Sequence, residues 1–200
     1  MKRTALALAL MWACAAGAQL PVPAEIRNAA AQAAASRTPA VFAARGTVQL
    51  AFTPWDDAEG MVVEAIRRAR QQILVQAFSF SSRTLASALI AAKKRGVEVQ
   101  VMADREQTFS GESSRIPDLV RAGIPVTLEV RYQSAHNKVM VMDAGTADAV
   151  VITGSYNWTY AAQQKNAENV LLLRDSPELA NAYAANWRRH YADSLPYAAP

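Results

Sequence analysis

From Thr47 onward, short apolar segments alternate with amphipathic segments of helical length, and this alternation constrains the fold more than any other feature of the chain. The segment "TVQLAFTP" alternates apolar and polar residues as a strand does, whereas "ILVQAFSF" is almost continuously apolar, as expected for a strand covered on both faces. Between them, "DDAEGMVVEAIRRARQ" begins with acids and ends with arginines, an order that suits the helix dipole. The pattern predicts an α/β fold with a mixed, largely buried β-sheet sandwiched by helices.

The same pattern continues to the C-terminal part of the chain. Helices are predicted in "SRTLASALIAAKKRG" and "SSRIPDLVRAG" and from about residue 177 to residue 191. Further strands are predicted in "VEVQVMAD", "IPVTLEV", "HNKVMVMD", "AVVITG" and "ENVLLLRD". We therefore expect one catalytic domain over residues 46–195.

The N-terminal residues predict export. Lys2 and Arg3 precede an apolar run that is too short to span a bilayer, and "AGA" follows as a cleavage site, so residues 1–18 are interpreted as a secretory signal peptide. The alternatives are an uncleaved anchor, a buried helix, or a lipoprotein modified at Cys14. Residues 19–45 are rich in alanine and proline and are expected to form a tether or a loosely docked helix. A periplasmic or extracellular protein without stable membrane insertion is predicted.

Net charge and cysteine content exclude few classes of function. The formal net charge of +4 falls to +2 once Lys2 and Arg3 are removed, so overall charge alone does not identify a nucleic-acid binder. Cys14 is the only cysteine and leaves with the signal peptide, so the mature domain has no disulfide.

Two polar clusters interrupt the strands. His136 and Lys138 are two residues apart in a predicted strand and should project together, and a lysine there needs a cleft, a carboxylate or an anion. In "TGSYNWT", Ser155 and Asn157 have the same spacing and could donate hydrogen bonds to phosphate oxygens. Glu168 precedes an apolar strand, where it is either a solvated strand end or the partner of an imidazole.

These segments together resemble the phospholipase D superfamily. "HNKVMVMD" fits its His-x-Lys-(four residues)-Asp signature, "GSYNWT" fits the element that follows it, and "KNAEN" is similar to the segment that carries a supporting glutamate. The resemblance covers roughly Thr47 to Tyr191 and is greatest to the single-motif branch of small secreted bacterial endonucleases, the Nuc type. A phospholipase D-like fold is expected.

The resemblance also implies residue roles. His136 would attack phosphorus to give a phosphohistidine. Lys138 and Asn157 would bind phosphate oxygens with help from Ser155, and Glu168 would orient His136. Asp143 matches the signature aspartate, and its position seven residues from His136 suggests a structural role.

This mechanism needs a second histidine to protonate the leaving group and then activate water. The only other histidine, His190, lies in the amphipathic "NWRRHYAD" without a lysine two residues on, and is interpreted as a surface or core-edge residue. The second imidazole is then His136 of another copy, which predicts a homodimer with one composite site. No metal-ligand cluster is evident, no cofactor is expected, and activity in excess EDTA is predicted.

The predicted function is nonspecific endonuclease activity on DNA, with RNA as an alternative substrate. The candidate backbone-binding residues lie just beyond strands or in loops: Arg83, Arg105, Arg115 and Arg131. Lys93, Lys94 and Arg95 are also candidates, but they are interpreted as a helix C-terminus in solvent. The alternatives are a lipid phosphodiesterase of the phospholipase D or cardiolipin type, with an apolar entry surface near Trp55, Phe109, Tyr132 or Trp158, and an inactive relative that only binds.

Overall fold

The computed structural model describes residues 39–110 and 113–198, so the predicted signal peptide and most of the N-terminal segment lie outside the described residues. Residues from Val41 onward form one compact unit. Its strands are β1 (Thr47–Thr53), β2 (Gln72–Ala77), β3 (Glu98–Asp104), β4 (Val126–Glu129), β5 (Lys138–Met142), β6 (Val150–Gly154), β7 (Glu168–Arg174) and β8 (Leu195–Pro196). Its helices are α1 (Ala58–Arg68), α2 (Arg83–Lys94), α3 (Arg105–Ser110), α4 (Ile116–Arg121), α5 (Tyr160–Gln164) and α6 (Pro177–Ala192).

All eight strands form one mixed sheet in the order β1-β7-β6-β5-β2-β3-β4-β8. The pairs β2–β3 and β3–β4 are parallel because a helix returns the chain between them, whereas β5, β6 and β7 pair antiparallel. The predicted α/β class with a mixed, largely buried sheet is thereby confirmed.

Two apolar layers sandwich the sheet. One face carries Val75, Val101, Met140 and their neighbours and packs against α1, α2 and α4. The other face carries Leu74, Met102 and Val141 and packs against Ala180, Ala184 and Trp187 of α6. Strand β5 is buried along its whole length because both layers cover it, which explains its continuous apolar sequence.

At one margin of the sheet, β1 pairs with β7, and no other described strand pairs with its outer side. Ala51 and Thr53 face the core, while three alternating apolar residues are partly exposed on the opposite face: Val48, Leu50 and Phe52. Helix α6 packs against β2, β4, β5 and β6.

Several elements differ from the sequence predictions. Strand β5 begins at Lys138, so His136 lies in the preceding loop rather than in the strand. Helices α3 and α5 and strand β8, each six residues or shorter, were not predicted from the sequence. Within the described residues, no helix is both long enough and apolar enough to cross a membrane.

Candidate active site

The predicted polar residues meet at one edge of the sheet, which we call the site edge and define by Ala77, Lys138, Gly154 and Glu168. Lys138, the first residue of β5, pairs with Ala77, the last residue of β2. Because β5, β6 and β7 run antiparallel, the end of β6 at Gly154 and the start of β7 at Glu168 lie at this same edge. The sheet topology thus brings together residues that are far apart in sequence, such as Ala77, Lys138 and Glu168.

Lys138 and Glu168 project from the same face of the sheet. Lys138 lies two residues before Met140, and Glu168 lies two residues before Val170; Met140 and Val170 belong to the same core layer. A cation and a carboxylate therefore stand at the site edge with Gly154 between their strands.

His136 is held in an exposed loop by its neighbours. The N–H of Ala135 donates to Oδ2 of buried Asp104 at 2.8 Å, and the N–H of Phe78 donates to the carbonyl of Asn137 at 3.0 Å. The rings of Phe78 and His136 are 4.3 Å apart and tilted by 54°. The backbone on both sides of His136 is thus fixed to β2 and β3 while its ring remains open to solvent.

Lys138 has only 5% of its surface exposed. Its Nζ donates to the carbonyl of His136 at 2.8 Å and lies 4.5 Å from the centroid of the Phe78 ring, a cation–π contact. Burial lowers the pKa of this lysine to about 8, while the charges of Glu168 and Asp104 oppose the shift. A phosphate at the site would supply the missing anionic partner.

The "GSYN" segment forms the next part of the edge. A Cβ at Gly154 would lie 2.2 Å from the carbonyl oxygen of Asn169, so only glycine permits this close approach. Ser155 Oγ accepts from the backbone N–H and the side-chain Nδ2 of Asn169, at 3.1 and 3.3 Å, and its own proton stays available for donation. Oδ1 of Asn157 is buried without a hydrogen-bond partner among the described residues.

The residues around Asn157 form a rigid support. Trp158 is buried and its Nε1 donates to the carbonyl of Gln76 at 3.0 Å, so Trp158 is packed beneath the site and offers no entry surface. Thr159 caps α5 by accepting from the N–H of Ala162.

Glu168 is bonded locally. Its Oε1 accepts from Nδ2 of Asn166 at 3.0 Å, and its backbone N–H donates to Oγ1 of Thr53 at 3.2 Å. Among the described residues, no hydrogen bond joins Glu168 to His136. The orienting role implied for Glu168 stays a prediction.

Asp143 lies at the opposite end of β5 from the site. Its buried carboxylate accepts the backbone N–H groups of Arg70, Gln71 and Gln72 at 2.9, 2.7 and 2.9 Å. These bonds tie the start of β2 to the end of β5. Asp143 thus holds two strands in register and does not face the site edge.

The candidate basic residues divide into three groups. Arg83 begins α2 and Arg105 begins α3, both directly after strands or loops of the site edge, and both are exposed without an ion pair among the described residues. In contrast, Arg115 pairs with Asp118 and Arg131 pairs with Asp193. Lys93, Lys94 and Arg95 end α2 at the other edge of the sheet.

His190 is half-buried outside the site edge, in keeping with the core-edge interpretation. Its Nδ1 is hydrogen-bonded to buried Glu129, and its ring packs 5.2 Å from that of Tyr132. Sequence reasoning missed Asp104 and Phe78, which fix the His136 loop. Their only sequence signal is a position at the end of a predicted strand.

The arrangement can hold and attack a phosphate. An exposed imidazole, a buried ammonium group, a free hydroxyl proton and a half-buried amide lie on neighbouring segments of one edge. Across residues 39–110 and 113–198, no group of three or more potential ligands is arranged to hold a metal ion.

Comparison with known proteins gives consistent matches. The family model described as "Cardiolipin synthase, PLD-like domain" matches residues 62–191. A protein of Rickettsia felis named phospholipase D is 37% identical over 150 residues, 75% of this chain and 72% of that protein. A mitochondrial cardiolipin hydrolase of Xenopus tropicalis is 33% identical over 141 residues, 70% of this chain and 64% of that protein. The crystal structure of Nuc from Salmonella typhimurium, a phospholipase D family member, matches with a TM-score of 0.71 at 31% identity, covering 78% of this chain and 100% of that one.

Proposed function

The chain belongs to the phospholipase D superfamily, in its Nuc-type branch, and on this basis we propose that it is a metal-independent endonuclease that cleaves DNA, or RNA, through a phosphohistidine. Membership makes the chain a phosphodiesterase; the nucleic-acid substrate is the proposal. The observation that carries the phosphohistidine chemistry is that the exposed His136 ring and the buried Lys138 ammonium group both contact the ring of Phe78. The likeness to Nuc from Salmonella typhimurium supports the nucleic-acid substrate.

The proposed reaction has two steps at one composite site. An imidazole nitrogen of His136 attacks phosphorus, and the bond to the leaving oxygen breaks as that oxygen takes a proton from the His136 imidazolium of a second copy. Water then attacks phosphorus, gives its proton to the second imidazole and releases His136. Lys138, Ser155 and Asn157 bind the phosphate oxygens throughout.

Nuclease assay of the exported, signal-cleaved protein in excess EDTA tests this proposal. We expect plasmid nicking to persist in chelator and to cease in a His136→Asn variant that still binds DNA. A His190→Asn variant serves as the matched control and should still form a phosphorus adduct. Loss of nicking in chelator with recovery on adding a divalent ion would contradict the mechanism, as would an active His136→Asn protein.

A lipid phosphodiesterase is the second candidate. Trp55 is 83% exposed after β1, and Tyr160 is exposed at the start of α5, as anchors at a membrane interface would be. The relatives named phospholipase D and mitochondrial cardiolipin hydrolase both support a lipid substrate. Parallel assays on plasmid DNA and on labelled cardiolipin and phosphatidylcholine vesicles separate the two: hydrolysis of vesicles without nicking would favour the lipid enzyme.

Export is part of the proposal. The predicted signal peptide supports a periplasmic or extracellular enzyme, where nucleic acid from outside the cell would be the substrate.

A further inference from the structure

A groove of about 520 Å³ opens beside the His136 loop. Its walls are the end of β3 with α3 on one side and the end of β4 with the following loop on the other. The groove and the site are structurally linked, because Asp104 lines the groove and also accepts the N–H of Ala135. Tyr132, on the opposite wall, is four residues from His136.

The charges of the groove do not suit a phosphate group. Asp104, Glu106 and Glu129 line it with Arg105 as the one cation among its described lining residues. Asp104 and Glu129 are buried, and Glu129 is held by His190. Burial raises the pKa of Glu129, and the hydrogen bond from His190 opposes this shift. A neutral group that offers hydrogen-bond donors fits such a lining better than a polyanion does.

Two aromatic residues supply flat surfaces in the groove. Phe109 is 45% exposed and Tyr132 is 49% exposed. Each ring packs against another ring on one face. The ring centroids of Phe109 and Tyr197 are 5.8 Å apart, and those of Tyr132 and His190 are 5.2 Å apart. Braced aromatic rings with a free surface are stacking platforms for bases.

We propose that this groove, here called the base groove, receives an unpaired nucleobase that flanks the cleaved bond, so that the enzyme prefers single-stranded nucleic acid to duplex. The inference rests on the proposed nuclease function. Four residues of chain span at most about 14 Å, so the base belongs to a nucleotide within about four positions of the attacked phosphate. A duplex keeps its bases stacked and paired and cannot insert one without opening.

Arg105 fits this arrangement. It is exposed on the rim of the groove, at the start of α3, where its guanidinium can reach the phosphate next to an inserted base. The groove then contacts both parts of one nucleotide, the base by stacking and its phosphate by charge.

The test compares Tyr132→Ala with wild type on a single-stranded oligonucleotide, on the matching duplex and on a strand with abasic positions around the cleavage site. We expect Tyr132→Ala to raise KM for the single strand about tenfold with little change in kcat, and Tyr132→Phe to stay within about twofold of wild type. On the abasic strand the wild type should already show the raised KM, and Tyr132→Ala should not raise KM further.

Phe52→Ala is the matched control, because Phe52 is a similarly exposed aromatic residue on β1, outside the groove, and it should match wild type. An unchanged KM for Tyr132→Ala on the single strand would overturn the proposal, as would equal losses on all three substrates. If the wild type hydrolyses lipid vesicles and cuts none of the oligonucleotides, the proposed function itself fails, a result distinct from a nuclease that ignores Tyr132.

Discussion

Burying the ammonium group of Lys138 costs free energy of folding, but the same buried charge is suited to binding an anion. Its ammonium group is removed from water, with one carbonyl and one aromatic face as its nearest partners. The ammonium is therefore easier to deprotonate than an exposed lysine, and its pKa lies at about 8. A phosphate that enters the site stabilises the charged form.

This property predicts the pH dependence of substrate binding. On the proposed function, Lys138 binds phosphate through a charge that is mostly present below pH 8 and lost above it, so KM should rise as the pH passes through about 8. The measurement is KM from pH 6.5 to 9.5 at constant ionic strength. Lys138→Arg, whose charge persists over that range, is the control and should show no such rise. A flat KM up to pH 9.5 in the wild type would contradict the assignment.

At the scale of elements, the two acids Asp104 and Asp143 connect strands that are distant in sequence. Asp104 fixes the His136 loop to β3, and Asp143 fixes the end of β5 to the start of β2. Each uses carboxylate oxygens to satisfy backbone N–H groups that would otherwise be unpaired. Asp104 supports the geometry of the site, and Asp143 supports the sheet.

Replacing Asp143 should therefore lower stability rather than alter chemistry. Asp143→Ala leaves three backbone N–H groups without their carboxylate, and we expect a loss of about 3 kcal/mol in the free energy of unfolding. Asp143→Asn should lose less, since it keeps one acceptor oxygen and tolerates the positive φ of this position. Urea unfolding measures both, with the exposed Asp148→Ala as a control within about 0.5 kcal/mol of wild type. A normal unfolding free energy with a reduced kcat would instead assign Asp143 to the chemistry.

Local sequence patterns predicted much of this level of structure. The apolar run of β2 and the charge order of α1 were sufficient for those elements, and the spacing of His136 and Lys138 indicated a shared location. Asp104 and Phe78 could not be found in the same way, because their roles depend on β5 lying beside β2, a pairing between distant segments. The loop conformation of His136 was also missed, since hydrogen bonds from Phe78 and to Asp104, rather than a local period, determine it.

At the scale of the whole molecule, the question is how many chains make one site. The described residues place a single histidine at the site edge, and the proposed two-step reaction needs two. His190 is engaged with Glu129 on the far side of the base groove. A second copy is the simplest source of the other imidazole.

Mixed dimers test this directly. In coexpressed wild-type and His136→Asn chains at equal amounts, roughly a quarter of random dimers contain two intact histidines. If both are required, the specific activity should fall to roughly that quarter, whereas independent sites would retain about half. Mass measurement in solution gives the dimer fraction, and coexpression of the wild type with a differently tagged wild-type chain is the control that should leave activity at the wild-type level. Full activity from a monomer would refute the composite site.

The unpaired margin of the sheet has a practical consequence for anyone who purifies this protein. Among the described residues, no strand covers the outer side of β1, and Val48, Leu50 and Phe52 are exposed beside it, so a second molecule can pair with this edge, strand against strand, in a concentrated solution. Handling at low concentration, or a Leu50→Lys substitution that places a charge on this edge strand, is expected to reduce such pairing.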